Sequence, residues 1–294
     1  MSLVRQFAQW CVRQDGLWRI LDKSVLRMVR YLEWARTEVD RTTGFAALTA
    51  RFLPPAGTPL VVLGGPFAGM RYPGSRAVGS ALTPKILGTY ESELHACIED
   101  ACAKSYDRVV DVGCAEGYYA VGLARRLPSA TVYAFDTDAE ARELCRDMAQ
   151  VNAVAHRVVI GAACDAPLLA ELATQGPMLV ISDCEGYEDE LLSPKIVPAL
   201  ARHDLLVECH DFLRPGVTTA LIIRFSATHH IQALTSTPDG ERPIPPDAPA
   251  LARFTPTERR RLLAEHRPGQ MTWLYMTPKI EQRASQDRSD VAVA

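Results

Sequence analysis

The sequence predicts an α/β fold: a Rossmann-like, doubly wound sheet of mostly parallel strands, preceded by helices and a small β-hairpin. Three observations carry that reading. From residue 108 onward, short apolar runs alternate with amphipathic segments, the rhythm of a parallel sheet covered on both faces. The run RVVDVGCAEGYYAVGLARRL (108–127) reads as buried strand, glycine turn and helix. Acidic residues recur just after the apolar runs, where open parallel sheets bind ligands.

In order, strands are expected at RVVDV (108–112), TVYAFD (131–136), RVVIGAA (157–163), PMLVISD (177–183) and DLLVECHD (204–211), then at HIQALTS and MTWLYMTP. Helices are expected at 116–126, 139–153, PLLAELATQ, within EDELLSPKIVPAL, at VTTALIIRFSA and at TPTERRRLLAEHR. Thr255 with Glu258 has the spacing of a capping box. Upstream, Leu3, Phe7, Trp10 and Cys11, then Leu21, Val25, Met28, Val29 and Leu32, form two helical stripes over 3–39. The Gly/Pro-rich stretch 54–79 suits a strand–turn–strand unit. Residues 83–102 look helical in their second half, with Thr89 or Ser92 near the start. This divides the chain into an extension over 1–104, a cofactor-binding catalytic domain over 105–279 and a frayed polar tail over 280–294. The extension and the 238–250 loop are expected to shape the acceptor pocket. The helices bearing Trp10, Trp18 and Trp34 offer a face for a homodimer.

Bulk properties exclude several classes. A net charge of -3 gives no basic field for nucleic acid. No apolar run approaches the roughly 18 residues of a membrane span, and the N-terminus does not read as a signal peptide. The eight cysteines are scattered without a CxxC pair, as reduced thiols of a cytoplasmic protein are.

The turn DVGCAEG has Asp111, Gly113 and Gly117 in a D-x-G-x-x-x-G spacing, not the G-x-G-x-x-G of dinucleotide sites. Glu116 sits where a pyrophosphate would dock, a poor neighbour for an anion. It suits a ligand with a positive centre and no phosphate, such as S-adenosyl-L-methionine. Asp136 ends the next strand, about 20 residues past the turn, placed to hold ribose hydroxyls. A nicotinamide-dependent oxidoreductase, an RNA methyltransferase and a non-catalytic binding module remain the rivals.

These segments resemble class I S-adenosylmethionine-dependent methyltransferases. VISDCEGYEDELL, with Tyr118, Tyr119, the stretch 134–138 and Asn152, more narrowly resembles the FkbM-like family. The resemblance implies a seven-stranded sheet and methylation of hydroxyl groups on natural products and glycans, so a small-molecule or sugar acceptor. This chain has Asp136 where that family more often shows glutamate.

Methyl transfer to an alcohol needs in-line positioning and a base. His210 is the candidate base, with Asp183 and Glu185 beyond the fourth core strand. Period-two alternation puts Glu208 and His210 on one face of their strand, Cys209 and Asp211 on the other. Asp183, Glu208 and Asp211 also suit Mg²⁺, leaving a metal-assisted mechanism open. Asp111, Gly113, Glu116, Gly117, Asp136 and Asp165 are expected to line the cofactor, with Tyr90 and Glu91 closing over its methionine end.

Overall fold

The computed structural model describes residues 45–55, 58–245 and 248–279. The stripes over 3–39, the tryptophan-bearing dimer face and the tail from 280 lie outside the described residues. The chain divides into two units, Met1–Phe52 and Leu53–Ala294. Of the first, the described part is helical over 45–52.

The extension begins with strands β1 (Leu60–Val61) and β2 (Arg71–Tyr72), paired antiparallel with Leu60 opposite Tyr72. This is the expected strand–turn–strand unit. Helix α1 (Leu82–Leu87) follows, buried along its length, in the half of 83–102 where no helix was expected. Gly88 ends it at φ 73°, its N–H returning to the carbonyls of Lys85 and Pro84. A Cβ there would lie 2.1 Å from the Gly64 carbonyl oxygen, so a close backbone crossing stops the helix. Helix α2 (His95–Cys102) starts after a 3-10 turn at Ser92–Leu94 with no side-chain cap; the Thr89 hydroxyl turns back to Pro84 instead.

The core alternates β3 (Arg108–Val112), α3 (Tyr118–Arg126), β4 (Thr131–Phe135), α4 (Ala139–Val151), β5 (Val158–Gly161), α5 (Ala166–Leu172), β6 (Met178–Ser182), α6 (Glu188–Leu191) and β7 (Asp204–Cys209). It closes with α7 (Val217–Phe225), β8 (His229–Thr235), α8 (Pro256–Leu263) and β9 (Thr272–Pro278). The central strands β6 and β7 are buried at every position, as strands covered on both faces must be. Helix starts follow their sequence signals: Asp138 caps α4, Asp165 caps α5, and the Thr255–Glu258 capping box forms on α8.

The seven strands lie in the order β5-β4-β3-β6-β7-β9-β8. The first five are parallel; β9 inserts antiparallel between β7 and β8. One core packs Val110, Val180, Leu205, Val207 and Leu274 of the sheet against Leu169, Leu191, Leu221 and Phe225 of the helices. The chain leaves β3 towards β4 and returns to β6 on its other side. This switch point, with Val112 beside Ser182, opens a crevice at the strands' carboxyl ends.

Candidate active site

The glycine turn lies in that crevice. Gly113 has φ 88°, and its N–H and that of Cys114 bond the Phe135 carbonyl at 2.8 and 3.0 Å. A Cβ on Gly113 would sit 1.7 Å from the Asp183 carbonyl oxygen. The turn after β3 and the turn after β6 thus touch backbone to backbone. Gly113→Ala is expected to lower the unfolding temperature, since left-handed backbone alone costs a residue with a Cβ about 1–2 kcal/mol and the clash adds to it. An unchanged melting curve would refute this. Gly117, at φ 95°, starts α3, and a Cβ there would meet the Cys145 sulfur at 2.8 Å.

Asp136 latches the turn to β4. Its Oδ2 accepts from the Ala115 N–H and its Oδ1 from the Asp138 N–H, both at 2.9 Å. Asp111 lies beneath the turn, buried, with Oδ2 lacking a hydrogen-bond partner. Burial raises its carboxyl to about 7, against the pull of the Ala120 N–H. Asp165, exposed at the end of β5, accepts from the Leu168 N–H at 2.9 Å. A turn that leaves no room for side chains, a half-buried acid beyond β4 and an orphaned buried carboxyl oxygen fit a nucleoside ligand with a polar tail.

Glu116, expected at the cofactor's charged end, is buried and faces the extension. It accepts from Lys85 Nζ at 2.5 Å, the Val78 N–H at 3.2 Å and the Tyr72 hydroxyl at 3.3 Å. A carboxylate this deep requires a counter-charge, and Lys85 supplies it. The sign of Lys85 in the sequence is a lone cation inside the apolar run ALTPKIL. Its ammonium also lies 4.9 Å from the Tyr90 ring centroid and 5.4 Å from that of Tyr118. Lys85→Met would leave Glu116 uncompensated. It is expected to cost about 3–5 kcal/mol in denaturant unfolding, with much of the loss recovered by adding Glu116→Leu. Equal stability of wild type and single variant would show the pair to be dispensable.

The second half of the site lies at the ends of β6 and β7. His210, buried, follows β7, and its Nδ1 is 2.6 Å from Glu188 Oε1 in the first turn of α6. Its Nε2 faces Asp183 Oδ1 at 3.4 Å, Glu208 Oε2 at 3.5 Å and Glu185 Oε2 at 3.6 Å. Glu188 also accepts from the Cys184 and Gly186 N–H groups, which fixes its carboxylate. Glu185 and Gly186 are both left-handed, at φ 53° and 99°, so the turn after β6 holds backbone strain beside the cluster. Burial opposes charge on His210, but the Glu188 hydrogen bond and the Glu208, Glu188 and Glu185 charges outweigh it, and the imidazole is raised above its ordinary value. Glu188, despite burial, is held below the usual carboxylate range by His210. Burial, then Glu208's charge and hydrogen bond, push Asp183 well up. Burial raises Glu208 too, with Arg267 pulling against it.

Arg267 organises the neighbouring acids. It pairs with Glu208, Glu91 and Glu265, the last at 2.8 Å. Burial lifts Glu265 to about 7 despite Arg267. Glu91, left-handed at φ 48°, is buried, accepts from the Tyr119 hydroxyl and donates its N–H to Glu265 at 2.7 Å. Tyr90, beside it, packs edge-on against Tyr118. Glu91 therefore reaches the acidic cluster from the extension.

Asp211 does not join this cluster. Its carboxylate caps the start of α7, accepting from the Gly216 N–H at 2.9 Å, the Thr218 N–H at 3.3 Å and the Thr218 hydroxyl. Asp183, Glu208 and Asp211 therefore do not come together as the metal set expected from the sequence. Among the described residues, the ligand atoms that converge are those of Asp183, Glu185 and His210, within 4.8 Å of one another. Glu188, Lys85 and Arg267 are the site residues that sequence reasoning missed.

Strand order, switch point and glycine turn are those of a class I S-adenosylmethionine-dependent methyltransferase domain. Residues 109–184 match the family model described as a methyltransferase domain. Two curated relatives are tRNA1(Val) (adenine(37)-N6)-methyltransferases of Porphyromonas gingivalis. That of strain W83 is 26% identical over 179 residues, covering 58% of this chain and 69% of the relative. The other is 28% identical over 133 residues, 42% of this chain and about half (52%) of the relative. Similar solved structures include geranyl diphosphate C-methyltransferase from Streptomyces coelicolor A3(2), at TM-score 0.40 and 12% identity, covering 68% of this chain and 84% of that one. The O-methyltransferase from Bacillus cereus has TM-score 0.41 and 11% identity, covering 62% and 78%. Among the described residues, no helix is long and apolar enough to cross a membrane.

Proposed function

We propose that this methyltransferase acts on a hydroxyl group of a small molecule, natural product or sugar, as its FkbM-like resemblance implies, with His210 as general base. The observation that carries the reading is the buried His210–Glu188 pair, which holds one ring nitrogen and turns the other towards Asp183, Glu185 and Glu208 at the strand ends. That is the base-plus-orienter arrangement an alcohol nucleophile requires. Bound S-adenosylmethionine supplies a methyl group on a sulfonium. Asp136 and the turn from Gly113 to Gly117 hold the nucleoside end, with Asp165 at its rim. Asp111, Tyr90 and Glu91 stand on the side of the amino-acid end. His210 Nε2 would take the proton of the acceptor hydroxyl, whose oxygen would receive the methyl group. Glu188 stabilises the resulting imidazolium.

The relatives' tRNA adenine is the rival acceptor. Glu185, exposed beside His210, repels a phosphate backbone, which favours a neutral acceptor. A tritium-transfer screen of phenols, polyols, sugars and bulk tRNA tests this: methylation of tRNA alone would overturn it. A divalent ion on Asp183, Glu185 and His210 would take the base's own nitrogen, and imidazole is a poor partner for Mg²⁺. Activity is therefore expected to survive dialysis against a chelator. Its loss and restoration by added Mg²⁺ would establish the metal-assisted route instead.

A further inference from the structure

We infer that Phe212, with Leu213 and Tyr187, forms a docking wall for the acceptor, and that the acceptor hydroxyl is carried on a flat, uncharged apolar ring. The inference rests on the base reading of His210. The observation is a pair of exposed large apolar side chains on the turn after β7, Phe212 at 46% and Leu213 at 48%, with Tyr187, 39% exposed, on the facing turn after β6. Each forgoes the gain of burial. Single exposed residues such as Ile223, 70% exposed on α7, need no explanation, but a cluster around a functional crevice does.

The wall is built onto the catalytic turns. The Phe212 ring lies 5.8 Å from the His210 ring, centroid to centroid, inclined by 56°. Leu213 Cβ is 3.8 Å from where a Cβ on Gly186 would stand, so the turn after β7 lies against the turn after β6. Arg214 ties the two, donating to the Gly186 carbonyl at 3.3 Å and Glu190 at 2.9 Å. The Leu213 and Arg214 N–H groups bond the His210 carbonyl at 3.0 and 2.9 Å. The residues that aim the base therefore also fix the wall. Phe212 is thus an exposed ring beside the base's own ring, and the exposed Glu185 turns away an anionic acceptor.

The test is calorimetric titration of the full chain, saturated with S-adenosylhomocysteine, with 2-naphthol and separately with methyl α-glucoside. Binding of 2-naphthol is expected in the wild type and in Ile223→Ser, weakened about tenfold or more in Phe212→Ser, and the glucoside is expected not to bind. S-adenosylhomocysteine affinity in Phe212→Ser should equal that of the wild type. Equal 2-naphthol affinity in Phe212→Ser and wild type, no 2-naphthol binding at all, or binding of the glucoside in its place would overturn the inference. His210→Ala separates the two readings. Retained 2-naphthol binding without turnover supports both, and undiminished turnover rejects the base while leaving the wall standing.

Discussion

His210→Ala is expected to lower kcat/KM by about 10²- to 10⁴-fold, the usual worth of a positioned general base, with S-adenosylhomocysteine affinity unchanged. The sign of the pH dependence follows from the cluster. Glu188 and the neighbouring carboxylates raise the imidazole above its ordinary value, so it stays protonated, and useless as a base, to a higher pH than a free histidine. The rate should therefore rise with pH through a midpoint above about 6.5. Glu188→Gln keeps the hydrogen bond's shape and removes its charge. It should move that midpoint to lower pH and reduce kcat with little effect on KM, because the imidazolium loses its partner. A flat pH profile, or an unmoved midpoint in Glu188→Gln, would remove His210 from the chemistry.

Asp136→Ala is expected to weaken S-adenosylhomocysteine binding by about 10²-fold or more. Two charge-assisted hydrogen bonds to a ribose are each worth about 1.5–3 kcal/mol, and each 1.4 kcal/mol is about a decade of affinity. The carboxylate also holds the Ala115 and Asp138 N–H groups, so alanine loosens the glycine turn as well. Asp136→Asn, which keeps an acceptor oxygen, should fall between. Titration with S-adenosylhomocysteine, with NADH as control, reads this directly. An unaffected variant would reject Asp136 as a ligand, and NADH binding in the wild type would revive the oxidoreductase reading.

Much of the scaffold is legible locally. β6 announces itself as the apolar run MLVI, and β3 and β7 as VV and LLV with an acid after each, because strands buried on both faces have no regular polar side to show. The Thr255–Glu258 capping box is visible because a helix start has its own short-range hydrogen-bond chemistry; Asp165, read as a cofactor residue, caps α5 as well. Period-two alternation correctly separates His210 and Glu208 from Cys209, which lies in the core. The same alternation puts Asp211 on the face away from His210, and the structure finds it capping α7.

Other features have no short-range signature. The insertion of β9 between β7 and β8 depends on pairing between strands far apart in the chain. α1 escapes the helical pattern because it is buried all round and ends where two backbones cross, at Gly64 and Gly88. Glu188 stands in an acid-rich stretch that reads as a solvated helix start, yet the fold buries it under His210. Lys85 and Glu116, 31 residues apart, become partners when the extension docks on the glycine turn.

Apolar periodicity, turn chemistry and caps act over a few residues, so the chain's own order specifies strands, helices, the glycine turn and the acids that follow the strands. Which buried charge answers which is a matter of distance through space. The packing of the sheet against the extension and α6 decided that Glu116 anchors the extension, that Glu188 aims His210, and that Arg267 gathers Glu91, Glu208 and Glu265.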